Sequence, residues 1–190
     1  MIVGLTGLKR AGKSSVANIL KDRYGFHVRS FATPIKDMLT ELGVPREYVW
    51  DPELKEKPVP GFGKSARQML CTLGSEWGRE LVSDDIWVRA LETRLTDLEG
   101  RDVVIDDVRF LNEAIMVKRQ PQGCIVHVVR PGLDRDSHVS EAGLPNDLVD
   151  GEIRNLSCYL PDLEKEVINF VEMGKYGPFY DTEFKCEPSH

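Results

Sequence analysis

The sequence predicts an α/β fold in which helices cover both faces of a mainly parallel sheet. Two observations carry that prediction. Short apolar runs, among them Met1–Leu5, Val103–Ile105 and Cys124–Val129, alternate with stretches whose apolar residues recur at helical spacing. The first of these runs also passes through a glycine-rich segment straight into the first helical stretch. A length of 190 residues suits a single domain with a sizeable core. An apolar share of 41% is that of a globular chain, not a disordered one.

Taken in order, Met1–Leu5 has the unbroken apolar character of a buried parallel strand. Ser15–Arg23 sets Val16, Ile19 and Leu20 on one helical face, and Phe26–Phe31 reads as a second short strand. Thr33-Pro34 opens a helix, Thr as the cap and Pro at the first helical position, with Lys36 in the first turn. Val44–Gly63, rich in Pro and Gly, is a long excursion with room for a short helix. Ser65-Ala66-Arg67-Gln68 fits a capping box for a helix running towards Arg79, with Arg67 in its first turn. A further helix starts near Asp84 or Asp85 and ends by Gly100. Asp102–Asp107 is a buried strand ending in two carboxylates, followed by a helix over Leu111–Arg119 and a strand over Cys124–Val129. Arg130–Asn146 holds two Pro, two Gly and many charges, and reads as a mobile flap. Val149–Arg154 is a short strand, and Pro161–Met173 a last helix with Leu163, Val167, Phe170 and Val171 on one face. Ligands of such sheets lie beyond the C-terminal ends of the strands, where Gly7, Lys36, Asp106, Asp107 and Arg130 are expected to meet.

A net charge of -6 argues against a nucleic-acid polymer as partner, while leaving room for a local basic pocket. Cys71, Cys124, Cys158 and Cys186 are scattered, without a CxxC pair, so they read as free thiols in a reducing compartment and not as a zinc site. No charged leader or long apolar run precedes the first strand, which predicts neither export nor membrane insertion.

Residues 7–14 read Gly-Leu-Lys-Arg-Ala-Gly-Lys-Ser, a match to G-x-x-x-x-G-K-[ST] between a strand and a helix. In such a phosphate loop, glycines let successive N–H groups line a concave anion site at a helix N-terminus. Gly7, Ala11, Gly12, Ser14 and Ser15 are therefore expected to hold the phosphates of ATP, with Lys9 and Arg10 adding positive charge. Lys13 can follow the β- and γ-phosphates, and Ser14 can take one position on Mg²⁺. The bland alternative is a simple glycine turn.

Beyond that loop the chain resembles the deoxynucleoside monophosphate kinases of bacteriophages, from Ile2 to about Val171. The resemblance rests on an ordered series: Phe-Ala-Thr-Pro-Ile-Lys from Phe31, Ala-Arg-Gln-Met-Leu and then Leu-Gly-Ser-Glu-Trp-Gly-Arg up to Arg79, Ile-Asp-Asp-Val-Arg-Phe-Leu-Asn-Glu up to Glu113, His-Val-Ser-Glu from His138, and Ile-Arg-Asn at Ile153. It implies a P-loop three-layer α/β/α fold like adenylate kinase, with a five-stranded parallel sheet, an acceptor-binding arm (about residues 31–80) and a lid (about 130–146). It also implies transfer from ATP to a deoxynucleoside monophosphate, a homodimer, and work in the cytoplasm, that of the host if the chain is phage-encoded. Thr33 stands where many relatives carry Asp, which makes Lys36 the better acceptor candidate.

Phosphoryl transfer asks a protein for position and charge. A monophosphate acceptor is already ionised, since its second pKa is about 6, so no general base is needed. Asp106, as a metal candidate, and Asp107, as a catalytic candidate, are thus expected to orient the waters of Mg²⁺ or to hold basic side chains; one of the two can equally end the strand and cap the next turn. Lys36, Arg67, Arg79 and Arg109 are candidates for the acceptor phosphate, arginine because its planar fork takes phosphate oxygens in pairs. Gln68 can hydrogen-bond a base or serve its cap; Phe31, Trp77 and Phe110 can stack on one or fill the core. Arg130 and Arg135 are cations that a closing lid brings onto the phosphates. His138 and Glu141 match the family motif and order the flap on the bland reading. By the resemblance, Asn155 lies where the last strand-to-helix loop approaches adenine. Two rivals remain at this point: a P-loop kinase of another small acceptor, such as dephospho-coenzyme A, and a nucleotide-controlled binding protein, against which the absence of an N-K-x-D motif speaks.

Overall fold

Five strands form one sheet in the order β2-β3-β1-β4-β5: β1 (Ile2–Thr6), β2 (His27–Arg29), β3 (Val103–Ile105), β4 (Gly123–Val129) and β5 (Gly151–Arg154). The β1–β3, β1–β4 and β4–β5 pairs run parallel, with Val3 level with both Val104 and Cys124. This computed structural model describes residues 1–133, 143–157 and 159–176, with the backbone alone at 173–176. The described chain divides into two compact units, one of Met1–Val28 with the residues from Asp102 onward, the other of Arg29–Arg101.

The first unit has three layers. Successive strand residues point to opposite faces. Val3 and Leu5 therefore join a core with Val16, Ala17 and Leu20 of α1 (Lys13–Tyr24) and Leu163 and Val167 of α7 (Leu160–Tyr176). Gly4 faces the other way, where a Cβ would lie 2.8 Å from Ile125 and 3.3 Å from Val117 of α6 (Leu111–Arg119). Helices thus cover both faces, and β1 lies in the middle of the sheet. Past β4, Asp150 accepts from the Ile125 N–H at 2.7 Å and pairs with Lys118.

The second unit is helical: α2 (Thr33–Glu41), α3 (Arg46–Trp50), α4 (Ala66–Cys71) and α5 (Ile86–Leu95). Leu39, Val44, Val49, Val59 and Ala66 form its core. Ala32, not Thr33, caps α2, because a turn at Ser30 already bends the chain there: the Ala32 N–H donates to Ser30 Oγ at 3.2 Å and the Thr33 N–H to the Ser30 carbonyl at 3.3 Å. The capping box at Ser65 forms, with Gln68 Oε1 accepting from the Ser65 N–H and Ser65 Oγ from the Gln68 N–H. Beyond Cys71 the helix does not simply reach Arg79. It widens into a π-helical run, Thr72–Val82. The Trp87 indole sits against that run, its Nε1 donating to the Gly74 carbonyl at 2.7 Å and its ring filling the place a Cβ at Gly78 would need. A side chain from the next helix takes up a carbonyl of the run where the turn is wide.

Two outcomes test this packing. A Cβ at Gly123 would collide with the Val117 carbonyl at the end of α6. Gly123→Ala should therefore cost roughly 2–4 kcal/mol, read as a lower urea midpoint at unchanged slope. Burial, and after it the charge of Asp150, pushes the Cys124 thiol from its ordinary 9.0 up to about 12. The unfolded chain ionises that thiol near 9.0, so its contribution to stability is whole below that pH and falls as pH rises towards about 12. Urea melts at pH 8 and 10.5 should show a smaller drop for Cys124→Ala than for the native chain.

Candidate active site

Thr6 ends β1, and residues 7–12 carry the chain to the first turn of α1. Gly7 has a φ of 135°, and a Cβ there would collide with the Val128 carbonyl oxygen, so the loop leaves the strand against the backbone of β4 where no side chain fits. Arg10 (φ 67°) and Gly12 (φ 109°) are both left-handed. Left-handed residues set between others turn successive N–H groups towards one concave side. No acidic residue occupies the first turn of α1 and no side chain caps it, so the positive end of the helix faces the loop. Lys13 Nζ lies within the loop, donating to the carbonyls of Gly7 at 2.6 Å and Leu8 at 2.9 Å.

Two residues from other strand ends grip the loop from outside. Arg130, just past β4, reaches the Arg10 carbonyl at 3.5 Å. Asn155, just past β5, is 7% exposed; its Nδ2 donates to the Ala11 carbonyl at 2.9 Å and its backbone N–H to the Val129 carbonyl at 2.8 Å. Arg10, Gly12, Lys13, Ser14, Ser15, Arg130 and Asn155 line a cavity of about 360 Å³ with Ser157, Tyr159, Leu160 and Leu163. A second cavity of about 200 Å³ is walled by Thr6, Gly7, Leu8 and Ala11 together with Arg109, His127, Arg130 and Asn146.

Asp106 and Asp107 sit in the turn after β3, half-buried, where the Val108 N–H donates to the Leu5 carbonyl at 3.1 Å and so ties that turn to β1. Arg109 follows. Its backbone N–H and that of Phe110 both donate to Glu113 Oε2, at 2.7 and 3.1 Å, and Glu113 is only 2% exposed. This buried carboxylate caps α6 and fixes the backbone that carries Arg109. Sequence reasoning gives Glu113 no role; the available signal is its place three residues past the cap, where a side chain can reach back.

Phe31, Lys36, Arg67, Gln68 and Arg79 belong to the Arg29–Arg101 unit. Phe31 is buried, only 3% exposed. Lys36 Nζ stands 4.2 Å from the centroid of the Trp50 ring, and the Arg46 guanidinium carbon 5.2 Å from the same ring. Arg67 is half-buried in the first turn of α4, beside Gln68, whose side chain serves the cap. Arg79 donates to the Asp84 carbonyl at 3.0 Å and lies 3.6 Å from its carboxylate. Trp77 is half-exposed, its ring centroid 6.3 Å from that of Trp87. Arg135, His138 and Glu141 lie outside the described residues.

Among the described residues no group of three or more His, Cys, Asp and Glu is placed to hold a metal ion. The oxygens on offer, the Ser14 hydroxyl and the carboxylates after β3, suit a Mg²⁺ that arrives on a polyphosphate and keeps most of its waters. No helix among the described residues is long and apolar enough to cross a membrane.

The profile of the deoxynucleotide monophosphate kinase family matches residues 62–167, more than half of the chain and a span that begins well beyond the glycine loop. The putative deoxynucleotide monophosphate kinase of Acanthamoeba polyphaga mimivirus is 33% identical over 159 residues, 76% of this chain and 82% of the viral protein. The deoxynucleoside-5'-monophosphate kinase of Escherichia phage T5 is 31% identical over 128 residues, 64% of this chain; the match spans 51% of the phage protein, about half its length. Among solved structures, that of TT1252 from Thermus thermophilus shares the fold, with a TM-score of 0.53 and 21% identity over 90% of this chain and 96% of that one. Profile and mimivirus relative agree, and the chain belongs to the deoxynucleotide monophosphate kinase family.

Proposed function

We propose that this chain transfers the γ-phosphoryl group of ATP to a deoxynucleoside 5'-monophosphate, giving ADP and the deoxynucleoside diphosphate. The observation that carries the reading is the Gly7–Ser14 loop folded between a central strand and a helix N-terminus, in a chain of this family. On this reading the loop amides and Lys13 hold the β- and γ-phosphates, and the charge that spreads over the transferring oxygens meets donors already in place. Mg²⁺, when bound, screens the phosphate charge; Ser14 and Asp106 are the residues assigned to hold it, with Asp107 beside them. Arg130 and Arg135 supply further cations at the transferring group. Asn155 belongs to the donor site.

The acceptor needs no base, since its phosphate oxygen is already anionic near neutral pH. It needs to be held in line and shielded from water, which would otherwise take the phosphoryl group. Lys36, Arg67, Arg79 and Arg109 are assigned to its phosphate, and Phe31 and Gln68 to its remainder, so that the Arg29–Arg101 unit serves as the acceptor arm. The decisive experiment measures ADP release from ATP with each common deoxynucleoside and ribonucleoside monophosphate in turn. Release that no monophosphate stimulates would sink the reading.

Three variants divide the roles. Lys13→Ala should keep the fold and lower turnover by about a thousandfold or more, because it removes charge that counts most at the transferring phosphates. Gly7→Ala should weaken ATP binding by about a hundredfold in calorimetry, since the loop must move off the Val128 carbonyl. Arg67→Ala should raise KM for the monophosphate by about tenfold while KM for ATP stays within about threefold.

A further inference from the structure

A phosphate loop works only if its N–H groups face inward, and an N–H can be aimed by holding the carbonyl on the same peptide. In a trans peptide the carbonyl of one residue and the N–H of the next lie on opposite edges of one plane. The chain has no cis peptide bond among its described residues. Whatever grips the Ala11 carbonyl therefore sets the direction of the Gly12 N–H.

The grip comes from Asn155, 144 residues away in sequence. Its buried Nδ2 donates to the Ala11 carbonyl at 2.9 Å. The backbone that carries it is fixed at the strand end, its own N–H bound to the Val129 carbonyl at 2.8 Å, continuing the β4–β5 ladder. Its amide also stands 2.6 Å from where a Cβ at Gly12 would be, so residue 12 has to be glycine for the contact to exist. Three other loop carbonyls are held as well. Those of Gly7 and Leu8 accept from Lys13, and that of Arg10 accepts from Arg130.

We propose that Asn155 is a positioning residue for the donor phosphates: it anchors the Ala11 carbonyl so that the Gly12 N–H is presented to the phosphate chain, and it does not read the donor's base. The proposal rests on the reading of residues 7–14 as the ATP phosphate site. It differs from a role for Asn155 at adenine in a way that can be measured, because a residue acting through the loop affects a ligand that has no base.

The test is calorimetry with inorganic tripolyphosphate, ATP and GTP on the native chain, Asn155→Ala and Asn155→Asp. The second variant keeps volume and replaces the donor by an acceptor. Both should lose about tenfold in affinity for tripolyphosphate and for ATP by the same factor, with the ATP-to-GTP ratio unchanged and KM for the monophosphate within about threefold. In the native chain, the Gly12 amide resonance should shift when tripolyphosphate is added, a readout that does not depend on either variant folding. Loss of ATP affinity with tripolyphosphate binding intact, or a changed ATP-to-GTP ratio, would place Asn155 at the base and overturn the proposal. So would equal tripolyphosphate affinity in all three proteins, or a Gly12 amide indifferent to the ligand. A native chain that binds ATP but no tripolyphosphate would overturn the reading of the loop itself, and the proposal with it.

Discussion

No side chain fits between residue 7 and the carbonyl of Val128. That constraint lets the chain leave β1 flat against β4, and the rest of the site is built on it. With the loop pressed to β4, the residue that follows β4 is at hand for the Arg10 carbonyl, and the residue that follows β5 for the Ala11 carbonyl. Three strand ends thus meet on six residues of loop. Their meeting depends on register, with Thr6 level with His127 and Val129 with Arg154. A one-residue slip in either pairing would turn the gripping side chains to the wrong face.

The chemistry of the site runs against the charge of the whole chain. A net charge of -6 coexists with Arg10, Lys13 and Arg130 around one cavity. An anionic ligand responds to the nearby cations and to the open helix end, because screening by salt removes distant charge within about 10 Å. A buried acid is put to a different use. Glu113 turns its carboxylate onto two backbone donors at the head of α6, where it satisfies the helix end and stays out of the phosphate site.

Much of this fold is legible in the sequence because its signals are local. The apolar runs of β1, β3 and β4 are short, with only His127 interrupting the last, the glycine loop lies between strand and helix, and Ser65 with Gln68 forms the capping box that its spacing announces. What sequence hides is set by distance. Phe26–Phe31 reads as a strand, yet the strand keeps only His27–Arg29, since the Phe26 N–H is drawn back to the Leu20 carbonyl at the end of α1. The widened turns of Thr72–Val82 answer to an indole thirteen residues past Gly74, and a period of 3.6 cannot be told from a wider one over so few residues. Lys36 meets the Trp50 ring, which lies inside the Pro- and Gly-rich excursion. Asn155 shows the same limit at the site itself: its position after a strand can be read, but the carbonyl it holds cannot.

The whole Arg29–Arg101 unit is one connection between β2 and β3, strands that lie side by side in the sheet. Such a connection has to span no more than a crossover does, and the entropy of closing it grows only with the logarithm of its length, about 0.6 kcal/mol for each doubling. In closure entropy alone, the sheet therefore bears little cost when this stretch is lengthened or trimmed. A change of length between β2 and β3, whether inherited or made by a laboratory graft, meets little resistance from chain closure itself.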